Sequence, residues 1–150
     1  MSLGRAVVAC YRRYATFGGR ARRSEFWWFH LYALLVWVPT AVAATVLWGN
    51  AFEGSISGPA EDPTINPDAV AWAPLTVALG VILLYLLAVG MPLLAVTARR
   101  LHDIDRSAWW LLLQAAGLGV VLLVMGVFQG RTGSNRYGPD PRLVAAPVLP

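Results

Sequence analysis

Three stretches of the chain, residues 26–48, 69–98 and 108–129, contain no Asp, Glu, Lys or Arg, and no other feature narrows the fold as much. Each is longer than the roughly 20 residues that carry a helix across about 30 Å of hydrocarbon. Within a bilayer the backbone has no water to bond, so a single segment must satisfy its own N–H and C=O groups as a helix. Pro39, Pro74 and Pro92 then fall at kinks or helix ends, which membrane helices tolerate. The expectation is an all-α integral membrane protein, one membrane domain over residues 1–150, with about three transmembrane helices at 26–48, 71–98 and 108–128.

Charge usage agrees. Only 13% of residues are charged and 57% are hydrophobic, whereas about a quarter of a soluble domain is charged. Every one of the twelve basic residues is arginine, and they sit in three blocks, 5–23, 99–106 and 131–142, between or beyond the apolar stretches. A basic chain raises nucleic acid as a partner, but no reader motif accompanies these arginines. Arginines at the ends of apolar segments instead suit anionic lipid headgroups, each worth roughly 1 kcal/mol near the surface. The expected partners are therefore membrane lipids, with a homo-oligomer or a membrane-protein partner as further options, and no nucleic acid. Cys10 is the one cysteine, so no intrachain disulfide can form.

The start of the first apolar stretch, "RRSEFWWF", with "AVAA" further on, has some features of a secretory leader. Its apolar run exceeds the 7 to 15 residues usual for such a leader, and Trp27 and Trp28 suit an interfacial anchor better. Ahead of it, residues 1–17 read as an amphipathic interfacial helix. Leu3, Val7, Cys10, Tyr11 and Tyr14 share one face and Arg5, Arg12 and Arg13 the other. Packing of that helix on the protein itself is an equal reading. Residues 49–70 hold glycines, prolines, four carboxylates and no arginine, and read as an exposed loop; residues 130–150 read as a polar tail.

Short arginine-bearing loops stay in the cytoplasm. With three full spans and the N-terminus inside, nine arginines lie inside and three outside; the opposite orientation reverses this. The N-terminus is thus expected in the cytoplasm, with the tail as a minority on the other side. A re-entrant third segment, turning at Gly117-Leu118-Gly119, would remove the discrepancy. It is set aside here because a break facing lipid leaves backbone groups unpaired.

"RRLHDIDRSAWW", residues 99–110, is the densest charge cluster. His102, Asp103 and Asp105 suggest a metal or acid–base site, but no second His or Cys group completes one. If the preceding helix continues, Arg99 lies four residues before Asp103, and Arg106 three after it, so ion pairing within a turn between two spans is the simpler reading. His30 and Gln114 are the polar side chains most suited to the bundle interior; an interhelical hydrogen bond is the plainer role and a transport path the bolder one. Gly126-x-x-x-Gly130 and Ala115-x-x-x-Gly119 offer close helix approach, at a spacing common in membranes.

Three motifs, "FGGRARRSEFWWF" at 17–29, "RRLHDIDRSAWW" at 99–110 and "GSNRYGPDP" at 133–141, resemble in this order a bacterial membrane family, domain of unknown function 805. The resemblance implies a small multi-pass protein of the bacterial inner membrane, without an assigned activity. It puts forward Arg20, Arg23, Glu25, Arg99, Arg100, His102, Asp103, Arg106, Asn135, Tyr137 and Asp140 as a structural or functional cluster. Glu25 and Asp103 would exchange ion pairs with Arg20, Arg23, Arg99 and Arg100 as a cytoplasmic-face latch, joined by Asn135 and Asp140 if the tail returns. The functional expectation is a non-enzymatic interaction or membrane-organising element, with no cofactor and no metal; the alternative is a small oligomeric transporter or channel subunit lined by His30 and Gln114.

Overall fold

The structure is a computed structural model that describes residues 1–58 and 63–143. The end of the expected tail, 144–150, and residues 59–62 of the expected loop lie outside the described residues. The chain is mostly helical: α1 (Leu3–Arg12), α2 (Arg23–Phe52), β1 (Ile56–Ser57), β2 (Thr64–Ile65), α3 (Trp72–Tyr85), α4 (Met91–Asp103), α5 (Leu112–Ala115) and α6 (Gly119–Val127). A π turn, Leu86–Gly90, joins α3 to α4 without interruption. Its place follows from Pro92, which lacks an N–H and whose ring would collide with the carbonyl four residues back; one wider turn absorbs both effects.

Arg23–Phe52 and Trp72–Asp103 are long and apolar enough to cross a membrane, and only 6% and 17% of their most apolar windows are buried by the rest of the protein. A core helix of a soluble protein would be covered on one face at least. Leu34, Leu35, Val42, Trp48, Leu79 and Leu84 are exposed instead. Hydrocarbon is the solvent such side chains fit.

The chain forms two units, Met1–Ala33 with Val89–Pro150, and Leu34–Ala88. In the second, α2 runs four residues past the expected end of the first span. The expected loop contains a short antiparallel hairpin, Ile56 opposite Ile65 and Ser57 opposite Thr64. The Asn66 side chain accepts from the Asp68 N–H at 3.1 Å to cap a 3-10 turn at Pro67–Ala69, and the Ala71 N–H donates to the Ala51 carbonyl at 3.0 Å. Trp37 and Tyr85 meet with ring centroids 5.0 Å apart.

In the first unit, α1 is shorter than the expected 1–17. It buries Ala6 and Cys10, and Val7 packs on a cluster of Cys10, Ala21, Phe29 and Val96. Leu101, Leu122 and Met125 form a second cluster, flanked by Ile104, Leu111, Leu113 and Val121.

The third apolar stretch departs from expectation. It is not one helix over 108–128 but a 3-10 turn at Ala108–Leu111 followed by α5 and α6. At 1.5 Å per residue, the nine residues of α6 cover about 13 Å, less than half the hydrocarbon thickness. The break is a glycine stop. Gly117 takes φ +75°, the Leu118 N–H donates to the Leu113 carbonyl at 2.8 Å and the Gly117 N–H to the Gln114 carbonyl at 3.1 Å. This pair of bonds closes a helix end within itself. The objection that a break leaves backbone groups unpaired is answered by these two local bonds.

Candidate functional site

Because α5 and α6 double back, both ends of the third stretch lie against the end of α4. The Arg106 N–H reaches the Leu101 carbonyl at 2.9 Å, and the Arg131 N–H reaches the Asp103 carbonyl at 2.9 Å. The segments carrying the three motifs therefore meet. "RRLHD" proves to be the buried last turn of α4 rather than a wet turn: Arg99, Arg100, His102 and Asp103 are all at most 7% exposed.

The four carboxylates of this unit are all engaged. Glu25, in the first turn of α2, accepts from Arg99 Nη1 at 2.7 Å. Asp103 bridges two arginines, accepting from Arg20 at 2.9 Å through one oxygen and from Arg100 through the other. Asp105 meets Arg131 at 2.9 Å and Arg136 at 3.5 Å on the surface. Asp140 takes Arg142 at 2.8 Å and the Gly133 N–H at 3.3 Å. The bonds from the Arg142 side chain and N–H hold the Asp140 carboxyl well below the usual carboxylate range, and the same carboxylate raises Arg142.

Carbonyls at the end of α6 and in the returning tail take up further donors. Arg20 donates to Gly133 at 2.5 Å and to Arg131, Arg100 donates to Gly126 at 3.2 Å and to Phe128, and Arg23 Nε donates to Phe128 at 3.1 Å. Asn135 Nδ2 donates to the His102 carbonyl at 2.8 Å. His102 Nδ1 donates to the Gly19 carbonyl at 3.2 Å, and its ring stacks on Tyr137 with centroids 3.8 Å apart and planes 5° apart. Buried charges are stable only when paired and fully bonded. Among the buried side-chain nitrogens and oxygens of the described residues, Arg99 Nη2 lacks a partner.

Ten of the eleven candidate residues thus bond in neighbouring sets: Glu25 with Arg99; Arg20, Arg23, Arg100, Asp103 and Asp140 around the carbonyls of 128–133; and His102 with Asn135 and Tyr137. Arg106 does not; its side chain is exposed, and no ion pair or hydrogen bond holds it among the described residues. Arg20, Arg99 and Arg100 pair with Glu25 and Asp103 in the manner of the expected latch, while Arg23 meets a carbonyl instead of a carboxylate and the expected pairs of Asp103 with Arg99 and Arg106 are replaced by pairs with Arg20 and Arg100. His102, Asp103 and Asp105 point to three different sets of partners. No group of three metal-ligating side chains occurs among the described residues.

Sequence reasoning missed several participants. Arg22 clamps the tail through the Pro141 carbonyl, at 2.9 Å from Nε, and the Arg142 carbonyl at 3.2 Å. Gly126 and Gly130 are tight: a Cβ on Gly126 would strike the buried Phe26 ring, and one on Gly130 the pinned Asp103 carboxylate. Their four-residue spacing is the available signal, although small residues at that spacing are common in membranes. Cys10 Sγ lies 3.8 Å from Glu25 Oε1, and burial, with that carboxylate beside it, pushes the thiol up to about 12. A thiol so placed is an inert packing group. His30, Thr97 and Gln114 line one cavity of about 160 Å³.

Residues 14–139 match the family described as "Protein of unknown function (DUF805)". The chain belongs to this family. Inner membrane protein YhaI of Escherichia coli K12 is 38% identical over 137 residues, 90% of this chain and 93% of its own length. Inner membrane protein YhaH of the same organism is 34% identical over 135 residues, 88% of this chain and 92% of its own. No solved structure matches. The DUF805 match takes in the three arginine motifs almost whole, and both relatives are named as inner membrane proteins. Together with the two apolar helices, this supports the bacterial inner membrane as the location of this DUF805 protein.

Proposed function

We propose that the chain is a non-enzymatic interaction or membrane-organising element of the bacterial inner membrane. In this reading two helices cross the bilayer, the third apolar stretch is re-entrant, and the arginine unit is a cap at the cytoplasmic headgroups, with α1 packed at the interface. The observation that carries the reading is the network itself. All four carboxylates of the unit are ion-paired, which leaves none as a free acid or base, and the returning tail brings all twelve arginines into one unit. Counting by the positive-inside rule then favours a cytoplasmic N-terminus by twelve to none instead of nine to three. Lipids with anionic headgroups are the expected partners, and the exposed Trp109, Leu112 and Val120 of the re-entrant hairpin suit a second copy or another membrane protein.

Single cysteines at Ser57 and Leu143, in a Cys10→Ala background, test the arrangement by labelling from each side of intact inner-membrane vesicles. Ser57 and Leu143 should label from opposite sides, with Leu143 on the cytoplasmic one. Labelling of both from one side would overturn the two-span reading. The functional half of the proposal expects retained co-purification of a partner or second copy, with no flux in proteoliposomes. The cavity shared by His30, Thr97 and Gln114 favours one other reading, a transporter subunit. Flux that vanishes in His30→Ala would establish it and displace the first.

A further inference from the structure

We propose that the cavity beside the start of α2 is a binding site for one phosphoryl group. The cavity, about 350 Å³, is lined by four arginines, Arg22, Arg23, Arg100 and Arg142, and by Ser24, while Asp103 is its one carboxylate. That carboxylate is already shared between Arg20 and Arg100, and Arg142 is held by Asp140. Arg22 and Arg23 reach carbonyls only. A carbonyl satisfies an N–H but does not neutralise a cation, so the cavity keeps an excess of positive charge that calls for an anion.

The open donors match a phosphoryl group. Both Nη atoms of Arg23 and Nη1 of Arg22 have no bond among the described residues. Guanidinium forks bind phosphate oxygens in pairs, which a point charge cannot do. Ser24 adds a hydroxyl. The first helical bond of α2 runs from the Phe26 N–H to the Arg22 carbonyl, so the N–H groups of Arg23, Ser24 and Glu25 are left at the positive end of a 30-residue helix. A two-oxygen carboxylate would leave part of this donor set unused.

The phosphoryl group has two sources, a lipid headgroup or free phosphate. An apolar groove of about 480 Å³, walled by Trp110, Val124 and Phe128, adjoins the cavity through Gln129, and would take an acyl chain. The inference deepens the proposed cap by naming its ligand. It rests on that reading only in setting the cap at headgroup depth, which the labelling experiment tests separately, and a phosphate titration in detergent needs no membrane.

The full chain in neutral detergent is titrated with inorganic phosphate at constant ionic strength by calorimetry, and native mass spectrometry counts phosphatidylglycerol and phosphatidylcholine retained from mixed nanodiscs. At least one arm should saturate at one phosphoryl group per chain. Arg23→Gln should weaken it about tenfold, the loss of one charge-assisted fork, and Arg23→Lys by less. Arg5→Gln, an exposed arginine on α1, should change it less than about twofold. Retained phosphatidylglycerol with silent phosphate assigns the site to a headgroup; saturation by phosphate without lipid retention assigns it to the free ion. Linear, unsaturating uptake in both arms overturns the proposal in the unmutated protein, and so does equal weakening by Arg5→Gln and Arg23→Gln.

Discussion

The unit formed by Met1–Ala33 and Val89–Pro150 and the unit Leu34–Ala88 are built on opposite principles. The first contains all twelve arginines, and its four carboxylates are ion-paired, most of them buried. The second has no arginine. Thr40, Thr45 and Thr76 bond back to carbonyls of their own helices, at 2.8 Å each, and its large side chains face outward. Directional polar bonds fix the geometry of the one; the other needs only to be helical and apolar. Substitutions of the same chemical size should therefore have very different effects in the two.

The largest difference is expected at the buried ion pair. Removing Arg99 leaves Glu25 uncompensated, at a cost of about 3–5 kcal/mol, so Arg99→Ala should abolish a cooperative thermal transition in detergent or lower it steeply. Glu25→Ala should cost similarly, because it strands an arginine with no exposed surface. The exchange of the two, Glu25→Arg with Arg99→Glu, should recover much of either loss. Losses that simply add would mean that the pair is not a unit.

Glycine substitution is the next test. Gly126→Ala drives a methyl into the buried Phe26 ring, and overpacking of this kind costs about 1–3 kcal/mol. Phe26→Leu in the same chain should relieve it. Gly130→Ala meets Asp103 instead. Since Arg20 and Arg100 hold that carboxylate from two sides, relief there would have to disturb both pairs, and the loss should be at least as large.

These two tests also mark how much the sequence tells. Apolar stretches and arginine blocks give the two long helices and the meeting of two motifs, because both follow from where charge is absent. The choice of Arg99 over Arg100 as the partner of Glu25 does not follow. Neighbouring residues on α4 point about 100° apart, so the order of charges alone leaves open which of them faces α2. The break in the third stretch is hard to read for a different reason. The length of that stretch suits a span, and the turn that Gly117-Leu118-Gly119 offers is acceptable only once the two bonds that seal it, to Leu113 and Gln114, are known. Recruitment of the tail was visible only as a condition on that stop.

The tail supplies a pH test confined to the first unit. Asp140 is held below the carboxylate range by Arg142, so its contribution is present above the ordinary carboxylate value, about 4. That contribution is lost as pH falls through the lower folded value. Hydrogen exchange of 133–143 should therefore accelerate on acidification, ahead of α2 and α3, and Asp140→Asn should show the fast exchange already at neutral pH.

The smallest expected effect separates the units most sharply, because it turns on sign. Gly80 lies inside α3 with nothing within 4 Å of where a Cβ would stand. An alanine there meets no neighbour and gains helix propensity, up to about 1 kcal/mol. Gly80→Ala should leave the thermal midpoint unchanged or raise it by up to about 4 °C for a chain of this size, while the same substitution at Gly126 lowers it. A fall at Gly80 comparable with that at Gly126 would mean that the Gly80 face is covered in the assembled protein. The unit Leu34–Ala88 would then have a protein neighbour in the membrane, and the contrast drawn from its exposed side chains would hold for the single chain alone.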